Sequence, residues 1–241
     1  MYLRFPGHET VKVVDGVPEG WKRKPIGELF DYYIGGGWGK DESDGTATDP
    51  AFVIRGTDIP GLRQGGAPNV SLRFHPAKNL ASRRLQAGDL VFEVSGGSRD
   101  SGVGRLLAIT DVLLEQFDRP VMCASFCKLI RPMQGVSEYL STVLDDLRIS
   151  DGLRTFENQS ASNIINFAFE DFSRRQVVFE PSNQVLQDFR LAVEPITRQI
   201  AVFGQQQIKL AKARDLLLPK LMSGQLDVSG IRLSELQEAN A

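Results

Sequence analysis

The residue types that could do chemistry in this chain gather in polar loops. Trp38 and Lys40 follow three glycines, Arg55 and Thr57 stand where an apolar run ends, and Arg63 lies on the next turn. Ser98, Arg99 and Ser101 share the glycine-rich stretch Gly96–Gly104, and Gln159, Ser160 and Asn163 share a later polar stretch. The glycine stretch invites comparison with a phosphate cradle, which needs a lysine and a hydroxyl directly after its last glycine. Here Val103 and Gly104 follow Gly102, and no third glycine stands at the spacing a dinucleotide site requires. None of the nine lysines has Asp or Glu two positions earlier, which removes a common nuclease arrangement, and His8 and His75 are far apart. The chain is therefore expected to have no catalytic residues and no metal site. Its loop side chains are of the kinds that reach phosphates and base edges. Arg pairs with the acceptors of guanine and Gln or Asn with the edge of adenine, each worth ~1–3 kcal/mol of discrimination. Any one of them can equally serve its own loop without touching a nucleic acid.

Composition bounds the setting. A chain of 241 residues, 41% hydrophobic and 24% charged, suits one globular body with an appended element. No apolar run is long enough to span a bilayer and Met1 is followed by no apolar leader, so a cytoplasmic protein without a membrane partner is expected. The formal charge of -2 argues against gripping nucleic acid on charge alone. Between Arg55 and Arg105, however, eight basic residues stand against four acidic ones, a patch that fits either phosphate contact or a solvated mixed surface. Cys123 and Cys127 lie in an apolar run, Val121 to Cys127, expected as one buried strand with inert thiols. Thr48-Asp49-Pro50-Ala51-Phe52 distantly resembles the Asp-Pro-Pro-aromatic motif of amino-methyltransferases, but the second proline is missing and no methyl-donor glycine loop precedes it.

The elements that must position these loops read as an α+β body. Residues 1–20 form an irregular lead-in, and 21–181 the globular domain. Strands are expected over Ala51–Arg55, Asp89–Val94, Arg105–Thr110 and Gln176–Glu180, the middle two as a hairpin-like unit with a long polar tip. Gly56–Gly61 reads as a turn and Gly35–Asp49 as a flexible loop. Short helical patterns cover Pro76–Leu85 and Val136–Arg148, the latter with Leu140, Val143, Leu144 and Leu147 on one face.

Residues 182–223 read as a long coiled-coil helix, with 224–241 as a tail. Leu186, Phe189, Val193, Ile196, Ile200, Phe203, Gln207, Leu210, Arg214, Leu217 and Leu221 keep a heptad register in which only Gln207 and Arg214 are polar. A helix of that extent, roughly 50 Å at ~1.5 Å per residue, cannot bury such a seam alone, so a second copy or another protein is expected to pair with it. The two polar positions either set pairing specificity or mark where the seam widens against a globular surface. Pro195 either bends the helix near its start or marks where it begins.

The ending Leu210-Ala211-Lys212-Ala213-Arg214-Asp215-Leu216-Leu217-Leu218-Pro219-Lys220-Leu221-Met222-Ser223-Gly224-Gln225-Leu226 resembles the end of the long helix in specificity (S) subunits of type I restriction-modification systems. Val193-Glu194-Pro195-Ile196 is similar to its start. Arg4-Phe5-Pro6-Gly7-His8-Glu9 with Val17-Pro18-Glu19-Gly20-Trp21 resembles the lead-in to a target-recognition domain, and Asp89 to Ile109 its Gly-Asp-strand-Ser-Gly segment. The resemblance covers nearly the whole chain. It implies a prokaryotic, non-catalytic subunit whose recognition domain reads one half of a bipartite site in double-stranded DNA. It further implies helices that pair as a spacing ruler, docking to methyltransferase subunits that hold S-adenosylmethionine, and assembly with a nuclease and translocase subunit. The chain itself would hold no cofactor. Such subunits usually carry two domains and two helices, so this chain resembles one half, either a natural short form that dimerises or a part of a longer chain. Another reading of the same residues is a coiled-coil adaptor whose body binds protein rather than DNA.

Overall fold

The structure, a computed structural model, describes residues 12–14, 17–66, 69–96, 102–159 and 164–226. It is an α+β body followed by a long C-terminal helix. At its centre lies an antiparallel sheet ordered Phe30–Gly35, Cys127–Pro132, Leu90–Glu93 and Leu106–Ala108. Successive side chains leave a strand on opposite faces. Leu90, Phe92, Leu106 and Ile130 accordingly enter one core, and Val91, Leu107, Leu129 and Cys127 the other. Burial on both faces is why Leu90-Val91-Phe92 is a continuous apolar run rather than an alternating one.

The first core is closed by the Ser137–Ile149 helix, through Tyr139, Leu140, Val143 and Leu144, and by the Phe169–Arg175 helix. Rings of Phe92, Phe156, Phe167, Phe169 and Phe172 interlock there, with centroids 5.1 to 6.2 Å apart. The second core is closed by a three-stranded sheet in which Asp49–Ile54 pairs in parallel with Val121–Cys123 and antiparallel with Ser71–His75. Val177–Glu180 pairs with Lys22–Pro25 and so fastens the end of the body beside its beginning.

Three expectations change here. Val121 to Cys127 is two strands, not one: Val121–Cys123 belongs to the three-stranded sheet and Cys127–Pro132 to the central sheet, with a turn at Ala124–Phe126 between them. Both thiols are buried, as expected, and burial pushes Cys123 up to about 12 and raises Cys127 as well. Gly56–Gly61 is only partly a turn, because Ile59–Arg63 is helical and buries Ile59 and Leu62. The lead-in includes a small antiparallel pair, Val13–Val14 with Val17–Pro18.

The C-terminal helix runs unbroken over Asn183–Met222, 40 residues or roughly 60 Å at ~1.5 Å per residue. Ser182 caps it, its hydroxyl accepting from the Val185 amide at 3.5 Å, and Gly224 at φ +70° follows its end. Pro195 is thus interior and does not mark the start. The heptad seam is corrected at its beginning. Leu186 is 7% exposed in the body's own core, Phe189 packs edge-on against Tyr139 at 6.5 Å, and Val193 is half-buried. Beyond Val193 the sheltered positions are Thr197, Ala201, Gly204, Ile208 and Ala211, one step off the seam, and Gln205 beside Gly204. A 3.6-residue helix drifts from a 3.5-residue pattern by ~20° per heptad, so a straight helix lying on a globular surface cannot keep both. The remaining seam residues turn outward: Ile196, Ile200, Phe203, Leu210, Leu217 and Leu221 are 40 to 70% exposed, with Gln207 and Arg214 exposed among them.

Candidate nucleic-acid interface

The strands deliver their loops to one end of the body. Phe30–Gly35 and Leu90–Glu93 finish there, Cys127–Pro132 and Leu106–Ala108 begin there, and Asp49–Ile54 and Val121–Cys123 finish beside them. The junction is tied by backbone bonds: Gly36 N to Cys127 O and Gly37 N to Cys123 O, both 2.9 Å, and Ala124 N to Ile54 O at 2.8 Å. Gly36 fits only as glycine, since a Cβ there would lie 2.2 Å from the Ala124 carbonyl oxygen. Around this junction stand Trp38, Arg55, Thr57, Gly96, Arg105 and Phe126. Gln159 reaches it through a third small sheet, Glu157–Gln159 paired with Ile165–Phe167, itself paired with Ser95–Gly96.

Trp38 and Lys40 are held rather than loose, which corrects the flexible loop. The Arg73 guanidinium carbon sits 4.6 Å from the centroid of the Trp38 ring, and its nitrogens donate to the Trp38 and Gly39 carbonyls at 3.2 and 3.4 Å. Arg73 also pairs with Asp41, and Lys40 with Asp44, whose carboxyl is held well below its usual range by that lysine and by bonds from Thr46. Beneath the loop His75 is buried, with no hydrogen-bond partner for Nε2 among the described residues. Burial, then Arg73 and Arg83, lowers its pKa.

Arg55 and Thr57 lie at the strand exit as expected, with Thr57 exposed. Arg55 is engaged by buried Asp58, through Nε to Oδ2 at 2.9 Å and Nη2 to Oδ1 at 2.8 Å. That bond raises the pKa of Arg55. Arg63 is not brought to the junction. It donates to Asp145 through two bonds of 2.7 Å and to the Leu106 carbonyl at 3.1 Å, lining a groove of about 530 Å³ between the body and the long helix at Val193 and Thr197. Gln159 is exposed on its strand. Ser98, Arg99, Ser101, Ser160 and Asn163 lie outside the described residues.

Four of the arginines counted in the basic surplus are paired within the fold, two of them with the acids Asp41 and Asp145 from outside the counted stretch. Besides Arg55, Arg63 and Arg73, Arg105 grips Glu93 through bonds of 2.8 and 2.6 Å, and Glu93 is 2% exposed. Gly56 closes over that carboxylate, where a Cβ would lie 2.3 Å from Oε1. Asp89, 1% exposed, is matched by Arg131 through two bonds of 2.8 Å. The partners Asp41 and Asp145 lie outside the stretch from Arg55 to Arg105, so a local charge count misses them. Among the described residues no group of three or more His, Cys, Asp and Glu stands together as metal ligands would, and no helix is long and apolar enough to cross a membrane.

Two side chains at the junction escaped sequence reasoning. Phe126 is 61% exposed on the turn between the sheets, where the apolar run predicts a buried strand. Asn166 is exposed on the Ile165–Phe167 strand, where buried Ile165 and Phe167 flank it; that alternation was the available signal.

No family model matches the chain, and no curated protein matches it. Solved structures do. A chain from work on complex assembly and conformational transition of the type I R-M system is similar at 14% identity and TM-score 0.49, over 87% of this chain and 47% of that one. The type I restriction-modification S subunit from M. genitalium is similar at 15% identity and TM-score 0.49, over 88% and 48%. The HsdS subunit from Thermoanaerobacter tengcongensis is similar at 16% identity and TM-score 0.47, over 90% and 52%. The chain spans about half the length of these structures.

Proposed function

We propose that this chain is a non-catalytic DNA-recognition subunit of a type I restriction-modification complex. Its strand-end loops read one half of a bipartite site. Its helix pairs with a second such helix, from another copy or another half, and docks methyltransferase subunits, which hold S-adenosylmethionine and perform the chemistry in a prokaryotic cytoplasm; a nuclease and translocase subunit joins the same assembly. The observation that carries this reading is the convergence of Trp38, Arg55, Thr57, Phe126 and Asn166 around one end of the sheets. The strand that begins beside Arg105 leads at its other end to Asp111–Leu114, which meets the long helix through Arg198 and Gln205. The quoted C-terminal motif, on the exposed part of that helix, supports the pairing.

A second reading, a helical adaptor whose body binds protein, is favoured by the internal pairing of Arg55, Arg63, Arg73 and Arg105. One experiment separates the two. Labelled random duplexes are mixed with the full chain, with and without methyltransferase subunits, and the retained DNA is sequenced across a salt series. The recognition reading predicts an enriched motif and a shallow salt slope, at ~0.9 per phosphate neutralised, because Arg55, Arg73 and Arg105 at the loop end are already paired with carboxylates. A retained pool as random as the input in both arms supports the adaptor.

A further inference from the structure

Phe126 and Asn166 flank the same short strand from either side. The Phe126 carbonyl accepts from the Val94 and Ser95 amides at 2.9 and 3.2 Å, while Ser95 pairs across its other edge with Asn166. Two strand spacings separate them, roughly 10 Å, within the reach of a major groove ~12 Å wide. Both positions are rigidly founded. The Ala124–Phe126 turn is closed by Cys127 N to Ala124 O at 2.9 Å and anchored to Ile54, yet Phe126 is 61% exposed. Rigid presentation of an oily ring to water stabilises nothing in the isolated body.

Asn166 is oriented as well. Ser95 Oγ donates to its Oδ1 at 2.8 Å, which fixes the plane of the amide. Oδ1 keeps a second lone pair, and the two Nδ2 hydrogens are given to no partner among the described residues. A fixed amide with one acceptor site and a donor group facing outward matches adenine, whose major-groove edge offers the N6 donor and the N7 acceptor. A phenyl ring across the same strand matches the only apolar group an A·T pair presents in the major groove, the thymine methyl.

Resting on the recognition reading above, we infer that Ser95, Phe126 and Asn166 form one reading element for A·T base pairs. The Asn166 amide engages adenine N6 and N7, Ser95 positions that amide, and Phe126 covers the methyl of a thymine in the same or the adjacent pair.

The test uses the full chain and the motif enriched from random duplexes. Each adenine is replaced in turn by 7-deazaadenine, which removes N7, and each thymine by deoxyuridine, which removes the methyl. The wild type loses about fourfold or more in affinity at one adenine and one thymine, the loss of a buried methyl alone being about fourfold at ~0.8 kcal/mol. Asn166→Ala is indifferent to the deaza change at that adenine, and Phe126→Ala to the deoxyuridine change at that thymine. Ser95→Ala keeps the adenine preference but weakens it. Both side chains are exposed, so unchanged thermal melting of the variants is the control for folding. An enriched motif at which the variants retain wild-type sensitivity, or which shows no sensitive A·T pair, overturns this inference and leaves the recognition reading standing. No enriched motif at all overturns both.

Discussion

Glu93 is the residue whose surroundings most constrain the loop end. It is buried beneath Gly56, and the Arg105 guanidinium is the cation paired with it. Removing one partner of a buried pair strands the other charge, at a cost of about 3 kcal/mol or more. Arg105→Ala should lower unfolding stability in urea by that order, and adding Glu93→Gln should restore part of it; equal stability of wild type and Arg105→Ala would show that water replaces the guanidinium without loss. His75 makes a prediction in pH. Its folded pKa lies below the ordinary 6.5, so the unfolded chain takes up the proton first. Its contribution is complete above 6.5 and is lost as pH falls through that value towards the folded pKa. Glu170, lowered from 4.5 chiefly by the Tyr33 hydroxyl and then by Lys128, loses its contribution only below 4.5. The melting temperature should therefore fall between 6.5 and 4.5, and His75→Gln should flatten that slope; an equally steep slope in the variant would assign it to other groups.

The element that joins the body to its long helix is a contact between two backbones. A Cβ on Gly204 would meet the Gln64 carbonyl oxygen at 2.0 Å, and one on Gly65 the Gly204 Cα at 2.7 Å. Neither neighbour is a flexible side-chain end that could swing aside. Gly204→Val should cost about 1–3 kcal/mol, as overpacking generally does, or lift the helix from the body. Hydrogen exchange would separate these: lifted, the amides around Gln64–Gly66 and Ala201–Gln205 lose protection while the central sheet keeps its own. Unaltered exchange and stability would mean that the contact is not made in solution. At this scale the sequence was partly legible. The hairpin of Leu90–Glu93 with Leu106–Ala108 and the Ser137–Ile149 helix follow from their apolar periods. Ser71–His75 did not, because Arg73 and His75 on its sheltered face are polar and are accommodated only by a loop arriving from Trp38. Ile59–Arg63 hid behind Pro60 and Gly61, residues that punctuate turns as readily as they open a helix.

For the molecule as a whole, the heptad beat over Leu186–Leu221 lies within the Asn183–Met222 helix and tells its covering only in part. Periodicity reports that a stripe is apolar and says nothing about what lies against it, so Leu186, Phe189 and Val193 could not be told from the exposed stretch that begins at Ile196. Ion pairing was similarly out of reach: Arg63 finds Asp145, 82 positions away, and a charge count over one stretch has no access to such a partner. What results is a body whose loops converge at one end, on a helix whose outer half shows an uncovered apolar line. The most direct test of that joint claim is the spacing of what the chain retains from random duplexes. The full chain should enrich two short motifs at one fixed separation, and Leu210→Lys should retain the single motif and lose the separation, since it charges the exposed line far from the loops. A pool without any motif, or a fixed separation that survives Leu210→Lys, would contradict it.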